Sequence, residues 1–362
     1  MNLLNLWNTI ESYLFPQLED LLTEELNKKE REFVQVCTLA ELDHFVLELE
    51  WKRVGRRSQD RLNILKAFVA KAVYNLDTTR SLINYLESAP TLRRLCGWEF
   101  KKSIPHESKF SRVFADIANT EICQKIHEKM ISSNCSNRVI GHVSRDSTAI
   151  ESREKVVHKY VSDKKITRKR GRPKKGDVQT KKKTVVERQF HQTFEENIAE
   201  LPIHCNKGNK RNSNGYNSSW KGYKLHIDCI DGDIPASAIL TSASVHDSQV
   251  AIPLTQMSKD RFTNLYDLMD AAYDSPSIHQ FSQDLGHIPI IDHNPRKSGT
   301  KKQFEPLEKR RYNERSSVER VNSYLKDSYG GRAIRVKGHR KVMAHLMFGI
   351  IAITANQLFK LV

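Results

Sequence analysis

An α/β region that carries the chemistry, preceded by an all-α N-terminal region, is the fold class this sequence predicts. Three observations lead to it. Apolar residues recur at helical spacing up to about Ile131, strand-like and helical runs alternate from Arg138 onward, and a charged helix carrying one central carboxylate follows them. The expected division is residues 1–134 as a helical domain that binds DNA and may dimerise, and residues 135–362 as the catalytic domain, with residues 155–215 as a basic insertion.

In the first region Leu62, Leu65, Phe68, Val69, Ala72 and Val73 line one helix face after the Arg-rich stretch from Arg53 to Arg61. Asp77 and Thr78 punctuate the chain before a second helix with Leu82, Ile83 and Leu86, giving a helix-turn-helix-like pair. Thr38 with Glu41 has the spacing of a capping box for a further helix. Pro105 marks a loop before a helix carrying Phe110, Val113, Phe114 and Ile117, and the boundary is expected between Met130 and Asn137.

The second region begins with Arg138 to Ser144 as a strand that delivers Asp146 into an Asp-Ser-Thr turn. Tyr223, Leu225 and Ile227 alternate with polar residues, and Asp231-Gly232 supplies turn chemistry before a partner strand from Ile234 to Thr241. A helix from about Ser248, a strand from Leu265 to Met269 ending at Asp270, a helix near Ile278 and a strand from Ile288 to Ile291 follow. Strand with acid, antiparallel hairpin, helix, strand with acid and helix with acid is the layout of a ribonuclease-H-like domain.

The last of those helices holds the spacing Y-x2-R-x3-E-x6-K in Tyr312, Arg315, Glu319 and Lys326. At 100° per residue the four project within about 40° of Glu319 on one face. Val318, Val321 and Leu325 lie on the opposite side, so the helix is buried on one side and turned to charge on the other. A solvated face held by i, i+4 ion pairs is the plain alternative for such a helix taken alone.

Asp146, Asp270 and Glu319, from three separate elements, suggest a metal site. They would hold two Mg²⁺ ions about 4 Å apart, for which Mn²⁺ would substitute, one activating a water or a 3′-hydroxyl and the other stabilising the departing oxygen. Asp274 is the rival to Asp270 and otherwise caps the following helix, while Asp247 reads as a helix N-cap. Arg315 and Lys326 would clamp phosphates, and Tyr312 would stack on or hydrogen-bond a strand of DNA.

The chain has 59 Lys and Arg against 43 acids, a net charge of +16 that calls for a polyanionic partner. From Ser162 to Arg188 twelve basic residues face three acids, a local net charge of +9 with too few apolar residues to offset ordering. Inside it Arg170-Gly171-Arg172-Pro173 is the core of an AT-hook-like element, in which the arginines would enter a narrow minor groove. A generic solvated linker is the equal alternative. The six cysteines form no C-x-x-C pair, which indicates neither a zinc knuckle nor a disulfide framework and suits a reducing, cytoplasmic setting, nucleoid-associated in a prokaryote. No signal peptide is visible, and the apolar run from Val342 to Val362, interrupted by His345, Asn356 and Lys360, reads as a core helix rather than a membrane span.

With these residues in view the chain resembles insertion-sequence transposases of the DDE class, in the group whose final acid lies in the Y-R-E-K signature. The stretches SRDSTAIESRE, GYKLHIDCIDGDIP, TSASVHDSQVAIPL and LMDAAYDS resemble that group's strand and acid motifs. RRSQDRLNILKAFVAKAVYNLDTTR, GWEF and IPHESKFSRVF resemble its preceding helical domain. The resemblance implies a homodimer in a synaptic complex, binding to terminal inverted repeats, hydrolytic release of element ends, and attack of the freed 3′-hydroxyl on double-stranded target DNA. The short gap between Asp270 and Glu319 leaves no room for the β-rich insertion of relatives that form hairpins at element ends, so hairpin processing is not expected. Two other readings stay open: a ribonuclease-H-fold nuclease or resolvase that cuts without joining, and a DNA-binding regulator whose catalytic core is unused.

Overall fold

The computed structural model describes residues 25–46, 61–157, 183–211, 215–295 and 299–361. Arg170, Arg172 and the rest of the AT-hook-like element lie outside these residues, as does the Arg-rich stretch from Arg53 up to, but not including, Arg61.

Among the described residues seven α-helices precede the first strand. They are α1 (Lys28–Ala40), α2 (Leu42–Val46), α3 (Arg61–Val73), α4 (Thr79–Ser88), α5 (Pro90–Leu95), α6 (Glu107–Thr120) and α7 (Ile122–Cys135). Asn27 caps α1 and completes a capping box with Glu30, while the Thr78 side chain accepts from the Ser81 amide to start α4. The expected box at Thr38 and Glu41 does not form. Thr38 lies inside α1 with its hydroxyl donating to the Val34 carbonyl, and Glu41 ends that helix in the left-handed region at φ 42°.

β1 (Val139–Glu151) opens the α/β region. Then come α8 (Val185–Gln189), α9 (Phe194–Glu200), β2 (Asn206–Arg211), β3 (Asn217–Ile230) and β4 (Ile234–Ser242). They are followed by α10 (Ser248–Lys259), β5 (Thr263–Met269), α11 (Pro276–Asp284) and β6 (Ile288–Ile291). The last helices are α12 (Pro306–Tyr312), α13 (Ser316–Ser328) and α14 (His339–Phe359). The expected hairpin is present as β3 and β4, and β6 has the expected bounds. Part of the segment expected as a loose insertion is ordered, because Thr184 and Thr193 build capping boxes for α8 and α9 and Val186, Leu201 and Cys205 are buried.

The sheet runs β2-β3-β1-β5-β6, with β4 also on β3. β1 pairs antiparallel with β3 and parallel with β5, and β5 pairs parallel with β6. The long β3 changes partner at Gly222, which faces Glu151 of β1 and Asn206 of β2 just before the pairing with β4 begins at Tyr223. Its φ is +151°, and a Cβ there would stand 2.1 Å from the Ile150 carbonyl, so only glycine fits the crossing.

Side chains alternate across a strand, so β1 serves two layers. Ile150 joins Leu225, Ile227, Val318, Val321 and Leu325 in the largest core. On the opposite face Arg145 meets Asp228, which also accepts from Ser258 of α10. That largest core also takes in Phe33, Phe68, Phe110 and the apolar face of α14, so the interior is continuous from the N-terminal helices to the sheet. The expected division after residue 134 falls in the last turn of α7. α14 is apolar on nearly every side because it is enclosed by α1, α3, α6, α7 and β4. By length and composition it could cross a membrane, but 83% of its most apolar stretch is buried inside the protein.

Candidate active site

Asp146 lies in the middle of β1 rather than in the turn expected for it. The strand continues to Glu151, and Asp146 faces Ile227 across the ladder. The last ladder pair between β1 and β5 is Ser144 with Leu268, and two residues further along the chain from each stand Asp146, still in β1, and Asp270, just past the end of β5. The parallel register therefore sets these two acids side by side at the carboxyl end of β5. Asp270 also accepts from the Ala272 amide at 2.9 Å, which starts a short 3₁₀ turn and fixes its carboxylate.

Burial dominates the electrostatics of both. It pushes the Asp146 carboxyl up to about 6, with the Ser147 amide and Arg315 opposing and the Asp270 charge adding to the rise. Asp270 is raised for the same first reason, opposed by the Ala272 amide and Arg315. Burial works against the Arg315 charge too, but Asp146, Tyr312, Glu319 and Asp270 outweigh it and hold the guanidinium above its ordinary value.

The Y-R-E-K residues come together without the single helix expected for them. Tyr312 ends α12, residues Asn313–Arg315 form a 3₁₀ turn, and Glu319 and Lys326 belong to α13. Arg315 nonetheless donates to Glu319 at 2.8 Å and places its other terminal nitrogen 4.0 Å from Asp146. The Tyr312 ring packs on Phe304 with 4.6 Å between centroids. Lys326 stands two turns beyond Glu319, half-buried, its ammonium held below the usual range by desolvation and then by the charges of Arg332 and Lys210.

Three contacts fix α13 against the sheet. Val318, Val321 and Leu325 are buried in the shared core, Ser144 donates to the Glu314 carbonyl at 3.3 Å, and Arg320 grips Asp233 of the hairpin turn at 2.7 and 2.8 Å. A Cβ on Gly349 of α14 would meet Leu325 at 2.7 Å, so glycine permits the close crossing that backs this helix.

Two acids play parts other than those expected. Asp247 stands at the N-cap position of α10 but makes no capping bond; it accepts from Ser147 and from Lys224, each at 2.9 Å. Its charge reaches Asp270 and the buried Tyr273. Asp274 does not hold the N-cap position of α11, which is Ser275, and instead meets His279 and the Asn294 amide. Lys210 of β2, whose charge acts on both Asp146 and Asp270, was not singled out by sequence. The only local signal for it is the N-K-G-N-K-R run of its strand.

The fit of this site to a divalent cation rests on donor chemistry. Two adjacent carboxylates, both penalised by burial, Asp146 also by the Asp270 charge and Asp270 by that of Asp247, are hard oxygen donors that a cation would relieve. The Tyr273 hydroxyl and Arg315 Nη1, both under the influence of these acids, are buried without a hydrogen-bond partner. Among the described residues no group of three His, Cys, Asp or Glu side chains is gathered to hold a metal ion, and the Glu319 carboxylate is engaged by Arg315. Asp146 and Asp270 thus fit as a pair, while the Glu319 carboxylate is held by Arg315.

Residues 179–355 match the family model described as Transposase DDE domain, and residues 18–116 match Transposase domain (DUF772). Asp270 and Glu319 fall inside the first match, and Asp146 lies before it. No curated protein and no solved structure matches the chain. Both models are of transposase domains, and these two stretches of the chain are similar to them.

Proposed function

We propose that this chain is a DNA transposase that binds the terminal inverted repeats of its element, cleaves the ends and joins them to target DNA. Its α/β region is read as ribonuclease-H-like, on the strand order β4-β3-β1-β5-β6 with antiparallel pairing up to β1 and parallel pairing beyond. The observation that carries the proposal is the register placing Asp146 beside Asp270, with Arg315 linking Asp146 to Glu319.

Asp146, Asp270 and Glu319 are the residues that would hold the metal. Two divalent cations, Mg²⁺ or Mn²⁺, would supply Lewis-acid stabilisation of the departing oxygen and a readily deprotonated water or 3′-hydroxyl. Arg315 is placed to turn from Glu319 to a phosphate oxygen when DNA arrives, exchanging one charge-assisted hydrogen bond for another. Lys326, with Lys210 and Arg332 nearby, would hold a flanking phosphate. Tyr312, braced by Phe304, offers a ring or hydroxyl to the strand. The expected domain division assigns end recognition to the N-terminal helices and added duplex affinity to Arg170 and Arg172. Pairing of two element ends calls for a homodimer.

The test is a strand-transfer assay with end-labelled DNA from both flanks of the gene and a supercoiled target plasmid. Cutting at matching inverted repeats followed by joining supports the transposase. Cutting without joining would reduce the protein to a nuclease or resolvase, and specific binding with neither would leave a DNA-binding regulator.

A further inference from the structure

A cavity of about 430 Å³ opens between the N-terminal helices and the segment joining α13 to α14, on the helical side of the molecule. It lies apart from Asp146, Asp270 and Glu319, none of which lines it. Its apolar wall includes Phe68, Phe114 and Phe348, which pack on one another with centroids 4.9 to 6.4 Å apart.

The polar part is cationic. Lys71 lines the cavity at 8% exposure, where burial opposes its charge and the nearby Asp77 supports it. A largely buried ammonium is costly unless something anionic meets it. Arg335, Lys337 and Lys341 are exposed at the mouth. Of the two acids there, Glu107 is paired with Arg80, which leaves Asp77 against four cations. Thr78 and Thr79 bring the N-terminus of α4 to the same wall, where first-turn amides favour an anion.

We propose that this cavity is a nucleotide site, with the phosphate on Lys71, Arg335 and the α4 N-terminus and the base against the phenylalanine wall. An aromatic floor beneath a cationic rim suits a ligand with a flat apolar body and a phosphate, and its volume falls in the range of small-ligand pockets, roughly 300 to 1,000 Å³. The nucleotide is either free or an unpaired residue of a DNA strand. Its walls come from α3, α6 and α14, so occupancy would tie the N-terminal helices to the chain that follows α13.

Calorimetric titration of the full chain tests this without requiring cleavage. The probes are dAMP, a 5′-phosphorylated dinucleotide and inorganic phosphate. Saturable dAMP binding that weakens about tenfold or more in Lys71→Met and in Lys341→Glu, and is kept in Asp146→Asn, is the expected result. The two exposed-rim variants Lys341→Glu and Arg335→Glu carry the test if Lys71→Met does not fold. Tighter binding of the dinucleotide would assign the site to a DNA strand, and equal or weaker binding to a free nucleotide. The proposal is overturned if neither nucleotide binds, if the cavity variants leave affinity unchanged, or if phosphate alone binds as well as dAMP.

Discussion

Arg315 donates to Glu319 at 2.8 Å from one terminal nitrogen while the other stands 4.0 Å from Asp146, so one guanidinium spans acids from two separate elements. Its charge favours ionised Asp146, whose carboxyl burial has pushed up to about 6. In the proposed mechanism cleavage needs that carboxylate ionised, so activity should fall as pH drops through that value. Arg315→Met removes the opposing charge and should move the acid limb of single-turnover cleavage to higher pH, along with a loss of about tenfold or more from the missing phosphate contact. An acid limb that keeps its midpoint in the variant would contradict this.

Asp146 should also weaken the fold it serves. Its folded value is raised above the unfolded one, so it contributes stability below the ordinary carboxylate range and loses it as pH rises through about 6. Without metal at pH 8, Asp146→Asn should therefore unfold at higher denaturant than wild type, by about 1–3 kcal/mol, with the difference vanishing near pH 4. Equal stability at both pH values would show that burial does not strain this acid.

Behind the site Arg145 and Asp228 form a two-pronged pair at 2.7 Å on both arms, with side chains 2% and 0% exposed. Such a pair adds little over an apolar substitute, but breaking it strands a buried charge. Asp228→Ala should cost about 3–5 kcal/mol in urea unfolding and loosen β1 under Asp146. A cost under about 1 kcal/mol would mean that Arg145 finds other partners.

Two histidines make the fold sensitive to acid. His127 and His226 are buried, and desolvation holds both down to about 3; the ring of His127 meets the Pro235 carbonyl at 2.8 Å and that of His226 meets the Thr241 hydroxyl at 3.0 Å. A depressed folded value gives stability that is present above the unfolded value near 6.5 and lost as pH falls toward 3. Each should contribute a slope of roughly 1.4 kcal/mol per pH unit through that window. His127→Gln should flatten the dependence of Tm on pH between those limits, and an unchanged slope would refute the assignment.

The sequence announced the elements better than their partners. β4, α10, β5, α11 and β6 were legible because apolar runs of the right period ended at turn residues or acids. The second half of β1 was not, since Arg145, Asp146 and Ser147 resemble turn chemistry. Their polarity is met by Asp228 and Asp247, 83 and 100 residues away, which no local pattern reveals. The same distance hid Asp247, read as a cap although Lys224 and Ser147 claim it. Helical spacing found the contact between Arg315 and Glu319, because Arg315 stands at the N-cap of α13 with helical dihedrals, but not the 3₁₀ turn that interrupts the run just before it.

The central claim is that Asp146, Asp270 and Glu319 act as one metal-dependent site on DNA. The most direct measurement compares wild type with Glu319→Gln on labelled DNA from both flanks of the gene, with Mg²⁺ or Mn²⁺, mapping products to the nucleotide. Wild type should cut at matching inverted repeats, while the variant should keep end binding and lose cleavage by about a thousandfold or more, on the order of 4 kcal/mol of transition-state stabilisation. Normal cleavage by Glu319→Gln would remove that residue from the site and contradict the account.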